Sequence, residues 1–148
     1  MSKTLHPLAG ALALLTILTF WGTTLVSEVF GPPTTVVLVK TLIPWGFLLL
    51  IPALMATGGS GFVLAGQRGG RLVDAKRRRM PVIAMNGLLI LMPAALFLAF
   101  KAQAGELDAV FYAPQALELV AGAVNITLLG LNMRDGLRLT GRLRHVPV

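Results

Sequence analysis

YAPQALELVAGAVNITLLGLNMRDG, Tyr112–Gly136, is a long apolar run into which Glu118, Asn125 and Asn132 fall at seven-residue steps. About 20 such residues in a helix cross the hydrocarbon of a bilayer. The seven-residue recurrence puts the three polar residues on one helix face. Continued at three- and four-residue steps, positions 115, 118, 122, 125, 129, 132 and 136 hold Gln, Glu, Gly, Asn, Leu, Asn and Gly. Lipid offers no hydrogen bonds, so this face is expected to turn inward. Gly122 would permit close approach, and the asparagines would bond to neighbouring helices. Asn86 is the expected partner for Asn125 or Asn132, completing a structural polar seam of Asn86, Asn125 and Asn132.

Working outward, three further apolar stretches have the same length, giving spans at about 8–30, 34–57, 81–100 and 114–133. Hydrophobic residues make up 55% of the 148, charged residues 13%, and the mean hydropathy is +0.79. Such values lie outside the range of soluble domains and leave no length for a second domain. The expected fold class is therefore all-α: an integral membrane antiparallel four-helix bundle forming a single transmembrane domain, 1–148. The first apolar run is longer than a signal-peptide core and has no small-residue cleavage site, so an uncleaved helix is expected. With no cysteine, disulfides, thiolate metal sites and cysteine catalysis are excluded.

Charge gives the orientation. Once the spans are placed, Lys3, the six basic residues from Arg68 to Arg79 and the four from Arg134 to Arg144 share one side with Asp74 and Asp135, a net +9. Lys40 and Lys101 share the other with Glu28, Glu106, Asp108 and Glu118, a net −2. The positive-inside rule then makes both termini, the basic loop 58–80 and the basic tail 134–148 cytoplasmic. Lys76-Arg77-Arg78-Arg79, lying between two spans, is read as a topology signal touching anionic lipids at the cytoplasmic face, not as a nucleic-acid contact. In the tail, Leu137, Leu139 and Leu143 among arginines suit the headgroup layer.

Gly31-Pro32-Pro33 reads as a tight hairpin between the first two spans. Gly58-Gly59-Ser60-Gly61 lacks the spacing and the Lys-Ser/Thr of a phosphate-binding loop and reads as a flexible connection. Pro44, Pro52 and Pro93 fall inside spans and favour kinks, whereas Pro81 is expected in a first helical turn. Asn125-Ile126-Thr127 matches a glycosylation sequon but lies mid-span.

Intramembrane ionisable residues are functional candidates by default. Glu28, Lys40 and Glu118 fall at similar depth in the outer half of their spans, and Lys40 is expected between the two carboxylates. With Tyr112 and Gln115 they are the candidate lining of an outer-leaflet site for a polar headgroup such as a quinone's. A proton path across the whole membrane is disfavoured, because beyond Glu118 the stripe continues with asparagines, which do not titrate. His6 is the candidate ligand for haem b at the cytoplasmic edge, with His145, Met80 or Met85 as conceivable second ligands. Two histidines without suitably spaced carboxylates give no metal motif. Trp21 and Trp45, near the middle of their spans, are expected to fill the bundle and find partners there for their indole N–H groups.

At Leu5-His6-Pro7-Leu8-Ala9-Gly10-Ala11, at Gln115–Ala123 and at Asn132-Met133-Arg134-Asp135-Gly136, the chain resembles functionally uncharacterised small bacterial four-helix inner-membrane proteins. The resemblance covers most of the chain and implies a multi-pass protein of the bacterial inner membrane, with no activity attached. The functional expectation is a non-enzymatic accessory or assembly subunit of a larger membrane complex, with a membrane-protein partner or as a homo-oligomer. A haem- or quinone-linked electron-transfer subunit and an oligomeric small-solute transporter are the alternatives.

Overall fold

The computed structural model describes residues 4–66 and 69–141; Lys3, Arg68, Arg142, Leu143, Arg144 and His145 lie outside the described residues. Four long helices account for nearly all of the described chain, and no strand occurs among the described residues. They are α1 (Leu5–Phe30), α2 (Pro33–Ala65), α3 (Arg71–Gln103) and α4 (Ala109–Leu139), each long and apolar enough to cross a membrane. By length and composition the chain is a multi-pass membrane protein.

The hairpin forms where glycine and two prolines stand together. The Gly31 N–H donates to Ser27 O at 2.9 Å, Pro32 is extended, and Pro33 opens α2, where a missing N–H costs nothing. At the start of α4, Asp108 caps the helix by accepting from the Phe111 N–H at 3.0 Å. Inside α3, a π turn at Gly87–Leu91 precedes Pro93. The proline ring crowds the carbonyl four residues back, and one residue of extra width relieves that clash.

The glycine run 58–61 is not a loop. α2 continues through it to Ala65, and α3 begins at Arg71, so the connection shrinks to 66–70 and Pro81 lies well inside α3, not in its first turn. Each glycine in a helix costs about 1 kcal/mol, a preference that tertiary contacts override. The contacts here are specific: the Thr57 hydroxyl donates to Ala53 O at 2.7 Å, the Ser60 hydroxyl donates to Ala56 O, and the His6 ring lies against Gly61. Arg77 closes the far end, donating to Gly66 O at 2.7 Å.

Each helix packs on its neighbours in the chain, and α4 closes the ring onto α1. This leaves α2 opposite α4 across the bundle. One end carries the first and last described residues, and the other carries the α1–α2 and α3–α4 turns; these are called the terminal end and the hairpin end below. Ala13, Ile17, Leu50, Ala53, Ile83 and Leu129 form an apolar cluster drawn from all four helices in the terminal half. Val36, Leu98, Ala102 and Phe111 form a second at the hairpin end, with no member from α1. Polar side chains occupy the level between them.

Two glycines set how closely helices meet. A Cβ on Gly122 would stand 2.8 Å from Cδ1 of Trp21, whose indole N–H donates to Leu119 O at 2.9 Å and so ties α1 to α4. A Cβ on Gly46 would stand 2.2 Å from Cζ of Phe20. Trp45 departs from the sequence expectation: it is 69% exposed on the outer face, because the glycine that follows it takes the inward position against α1.

Gly122→Ala should therefore lower stability in detergent by about 1–3 kcal/mol, the usual cost of overpacking, whereas Gly130→Ala, with open space around its Cβ, should not. Thermal unfolding of the two variants side by side checks this, and equal melting temperatures would refute the close-approach argument.

Candidate functional site

The polar level is built from three helices. Val36, Lys40 and Ile43 follow helical spacing and turn one face of α2 inward, carrying Lys40 to 1% exposure. On α4, Phe111, Gln115, Gly122, Asn125, Leu129 and Asn132 are buried along the anticipated stripe, with Glu118 among them at 12%. On α1, Thr24 and Ser27 are buried beside Glu28. Lys40 Nζ reaches across the bundle diagonal to Glu118 Oε2 and stands 3.5 Å from the Thr24 hydroxyl.

Of the two carboxylates expected to flank Lys40, Glu118 forms the ion pair; Glu28 makes no pair within 4 Å, although its charge and that of Lys40 interact. Tyr112 is displaced from the expected lining: Phe111 takes the inward position, and Tyr112, one residue or 100° further round, is 48% exposed and packs edge-on against it at 5.2 Å. Gln115 is buried at 3%, and neither its amide nitrogen nor its amide oxygen has a hydrogen-bond partner. Oε1 of Glu28 is likewise sealed and unpartnered.

Below this level the seam is satisfied. Asn86 Nδ2 donates to Asn125 Oδ1 at 2.9 Å and to Ala121 O at 2.8 Å, so its partner is Asn125 and not Asn132. Asn132 turns instead to Met80 Sδ at 3.5 Å and accepts from Arg79 at 3.4 Å. Arg79 also donates to Asp135 Oδ2 at 2.6 Å, and Arg134 Nε lies 3.6 Å from the other oxygen of that carboxylate. Asp135 lies at the terminal end, as its place among the charges of the basic side implies, but is only 1% exposed; this burial is readable from its position three residues beyond Asn132 on the same stripe. Arg79 shares helical spacing with Ile83 and Asn86 and was equally findable.

His6 joins α1 to α2. Its Nδ1 lies 3.1 Å from Thr57 O and 3.0 Å from the Ser60 hydroxyl. A carbonyl only accepts, so Nδ1 carries the proton and Nε2 the lone pair. For haem, the described residues bring no second ligand to it: Met80 is engaged by Asn132, Met85 is exposed, and His145 lies outside the described residues. Nor do three His, Asp or Glu residues come together for a metal among the described residues. At the α3–α4 turn, Lys101 donates to Glu106 at 2.7 Å and to Asp108 at 3.1 Å. The Lys101 bond and then the Phe111 N–H hold the Asp108 carboxyl below its ordinary range. An open apolar groove of about 360 Å³ runs between α3 and α4, lined by Leu89, Ile90, Pro93, Phe97, Pro114 and Leu117 among others.

No protein-family model, curated protein or solved structure matches the chain. The arrangement itself therefore carries the functional argument. It offers the Lys40–Glu118 pair with idle polar groups beside it, and elsewhere a seam of interhelical ties in which Oδ1 of Asp135 is the atom left without a hydrogen bond among the described residues.

Lys40→Met leaves the Glu118 carboxylate buried without a counter-charge, and should cost about 3 kcal/mol, the low end for breaking a buried pair because Glu118 keeps some exposure. Adding Glu118→Leu to Lys40→Met should recover most of that loss. A double variant as unstable as the single one in denaturant titration would remove the ion pair from the account.

Proposed function

We propose that the chain is an integral protein of the bacterial inner membrane with both termini cytoplasmic, working as a non-enzymatic accessory or assembly subunit of a larger membrane complex. The observation that carries this reading is where the polar side chains are spent. Trp21, His6, Arg79, Asn86, Asn125 and Asn132 each bond to a neighbouring helix. They hold the bundle together and leave its circumference apolar, with Leu8, Leu48, Phe62 and Phe100 among many large side chains facing out. Such a surface suits lipid or the helices of a partner.

Orientation is argued from the charges. Arg71, Arg77, Arg78, Arg134 and Arg138 are exposed at the terminal end, whereas Lys101 at the hairpin end is neutralised by Glu106 and Asp108. A basic rim beside apolar helix ends favours the cytoplasmic face and its anionic lipids.

The absence of native cysteine makes the orientation simple to test. In intact cells a membrane-impermeant maleimide should label Ala104→Cys at once and Asp74→Cys after the inner membrane is permeabilised; the reverse order would invert the topology. On native gels after mild detergent extraction, the tagged protein should migrate with an unlike membrane protein in fixed ratio. Migration as a lone chain or pure homo-oligomer under every mild condition would sink the accessory reading.

A further inference from the structure

In a bundle whose other buried polar groups are mostly paired, Glu28 Oε1 and both amide atoms of Gln115 stand out as sealed and unbonded. Buried polar atoms without partners are rare and call for a cause. Both residues adjoin the Lys40–Glu118 pair: Glu28 senses its charges, and Gln115 lies one turn from Glu118 on the same face of α4. The helices packed on α1 are α2 and α4, and the charged groups they present to Glu28 are Lys40 and Glu118. Lys101, Glu106 and Asp108 bond among themselves in the neighbouring turn. With all three groups ionised, the Glu28–Lys40–Glu118 cluster holds one positive and two negative charges, so it is one positive charge short of neutrality.

Oε1 of Glu28 and the Gln115 amide are sealed within packed protein, so a cation that meets the cluster on that side has to be one that needs no room. A metal ion would have to displace the Lys40 ammonium from its carboxylate, and no set of ligands stands ready for one among the described residues. We propose that Glu28, with Lys40 and Glu118, forms a binding site for a single proton, exchanged with the hairpin end of the bundle. The apolar cluster Val36, Leu98, Ala102 and Phe111 closes that end over α2, α3 and α4 but has no member from α1. α1 contributes the buried Thr24 and Ser27 there instead, and Glu28, two residues before the end of α1, is the member of the charged cluster that stands nearest the hairpin end in its helix.

The idle amide has a use in the deprotonated state. When Glu28 loses its proton, Lys40 is drawn from Glu118 towards the new charge. The Gln115 amide, three residues before Glu118 on one helix face, then donates to the carboxylate that Lys40 has left. Protonation thus chooses between two sets of bonds, one joining α2 to α4 across the diagonal and one joining α2 to α1. The inference goes beyond the accessory reading and does not depend on it.

Dicyclohexylcarbodiimide, an apolar reagent that adds to protonated but not ionised carboxyls, tests the site in the intact protein in liposomes, with mass spectrometry locating the adduct. We expect one adduct at neutral pH, on Glu28, absent from Glu28→Gln and lost as pH rises. Glu118→Gln releases Lys40 to Glu28 and should abolish labelling at neutral pH; Gln115→Leu, which removes the replacement donor, should extend labelling to higher pH. If Glu118→Gln fails to fold, the wild-type pH profile and Gln115→Leu decide. An unlabelled Glu28 at neutral pH, or labelling indifferent to pH and to both partners, would overturn the proposal.

Discussion

The Lys40 ammonium, nearly sealed from solvent, imposes a condition that the rest of the bundle has to meet. A charge in a low-dielectric interior is tolerated when another charge or a ring of hydrogen bonds compensates it. The compensation comes from Glu118 on the helix diagonally opposite, a separation that two neighbouring backbones do not bridge but that a long lysine stem does. That single bond sets the relative height of α2 and α4, which otherwise meet through α1 and α3. The apolar clusters above and below it then fall into place as the fillers on either side of a charged layer.

The same requirement repeats down the bundle with smaller stakes. Interhelical bonds of this sort average about 0.6 kcal/mol in membranes, so none of them alone fixes the fold. Their worth lies in agreement: Trp21 ties α1 to α4, Asn86 and Asn125 tie α3 to α4, and His6 ties α1 to α2. Each bond is available at one register and lost at the next, so together they select one packing among many that would bury similar apolar area.

This logic also explains what the sequence disclosed. Four long apolar helices, the Gly-Pro-Pro hairpin and the inward stripe of α4 were legible because hydropathy and helical periodicity constrain them directly. The continuation of α2 through Gly58–Gly61 was not, since local preference favours a loop and the opposing contacts come from His6, fifty residues earlier. Tyr112 and Trp45 were misplaced because a span reading gives depth but not azimuth, and in each case the adjacent Phe111 or Gly46 takes the inward direction. The burial of Asp135 was hidden by an edge effect: ending the span at 133 leaves its carboxylate in the basic tail, although α4 runs on to Leu139.

Glu28 and Gln115 depart from the rule that every buried polar atom finds a partner, as does Oδ1 of Asp135 near the terminal end, and the first two do so beside the Lys40–Glu118 pair. Between Glu118 and Asp135 the buried stripe holds Gly122, Asn125, Leu129 and Asn132, none of which titrates. Glu28 lies near the hairpin end of α1, so its proton is exchanged there. What it can change is which helix Lys40 holds, and because Lys40 supplies the diagonal bond, occupancy by one proton alters the grip between α2 and α4 while the seam below stays closed. The chemistry of the site thus points to coupling between protonation and helix packing, a property that acts through whatever touches the outer faces of those helices.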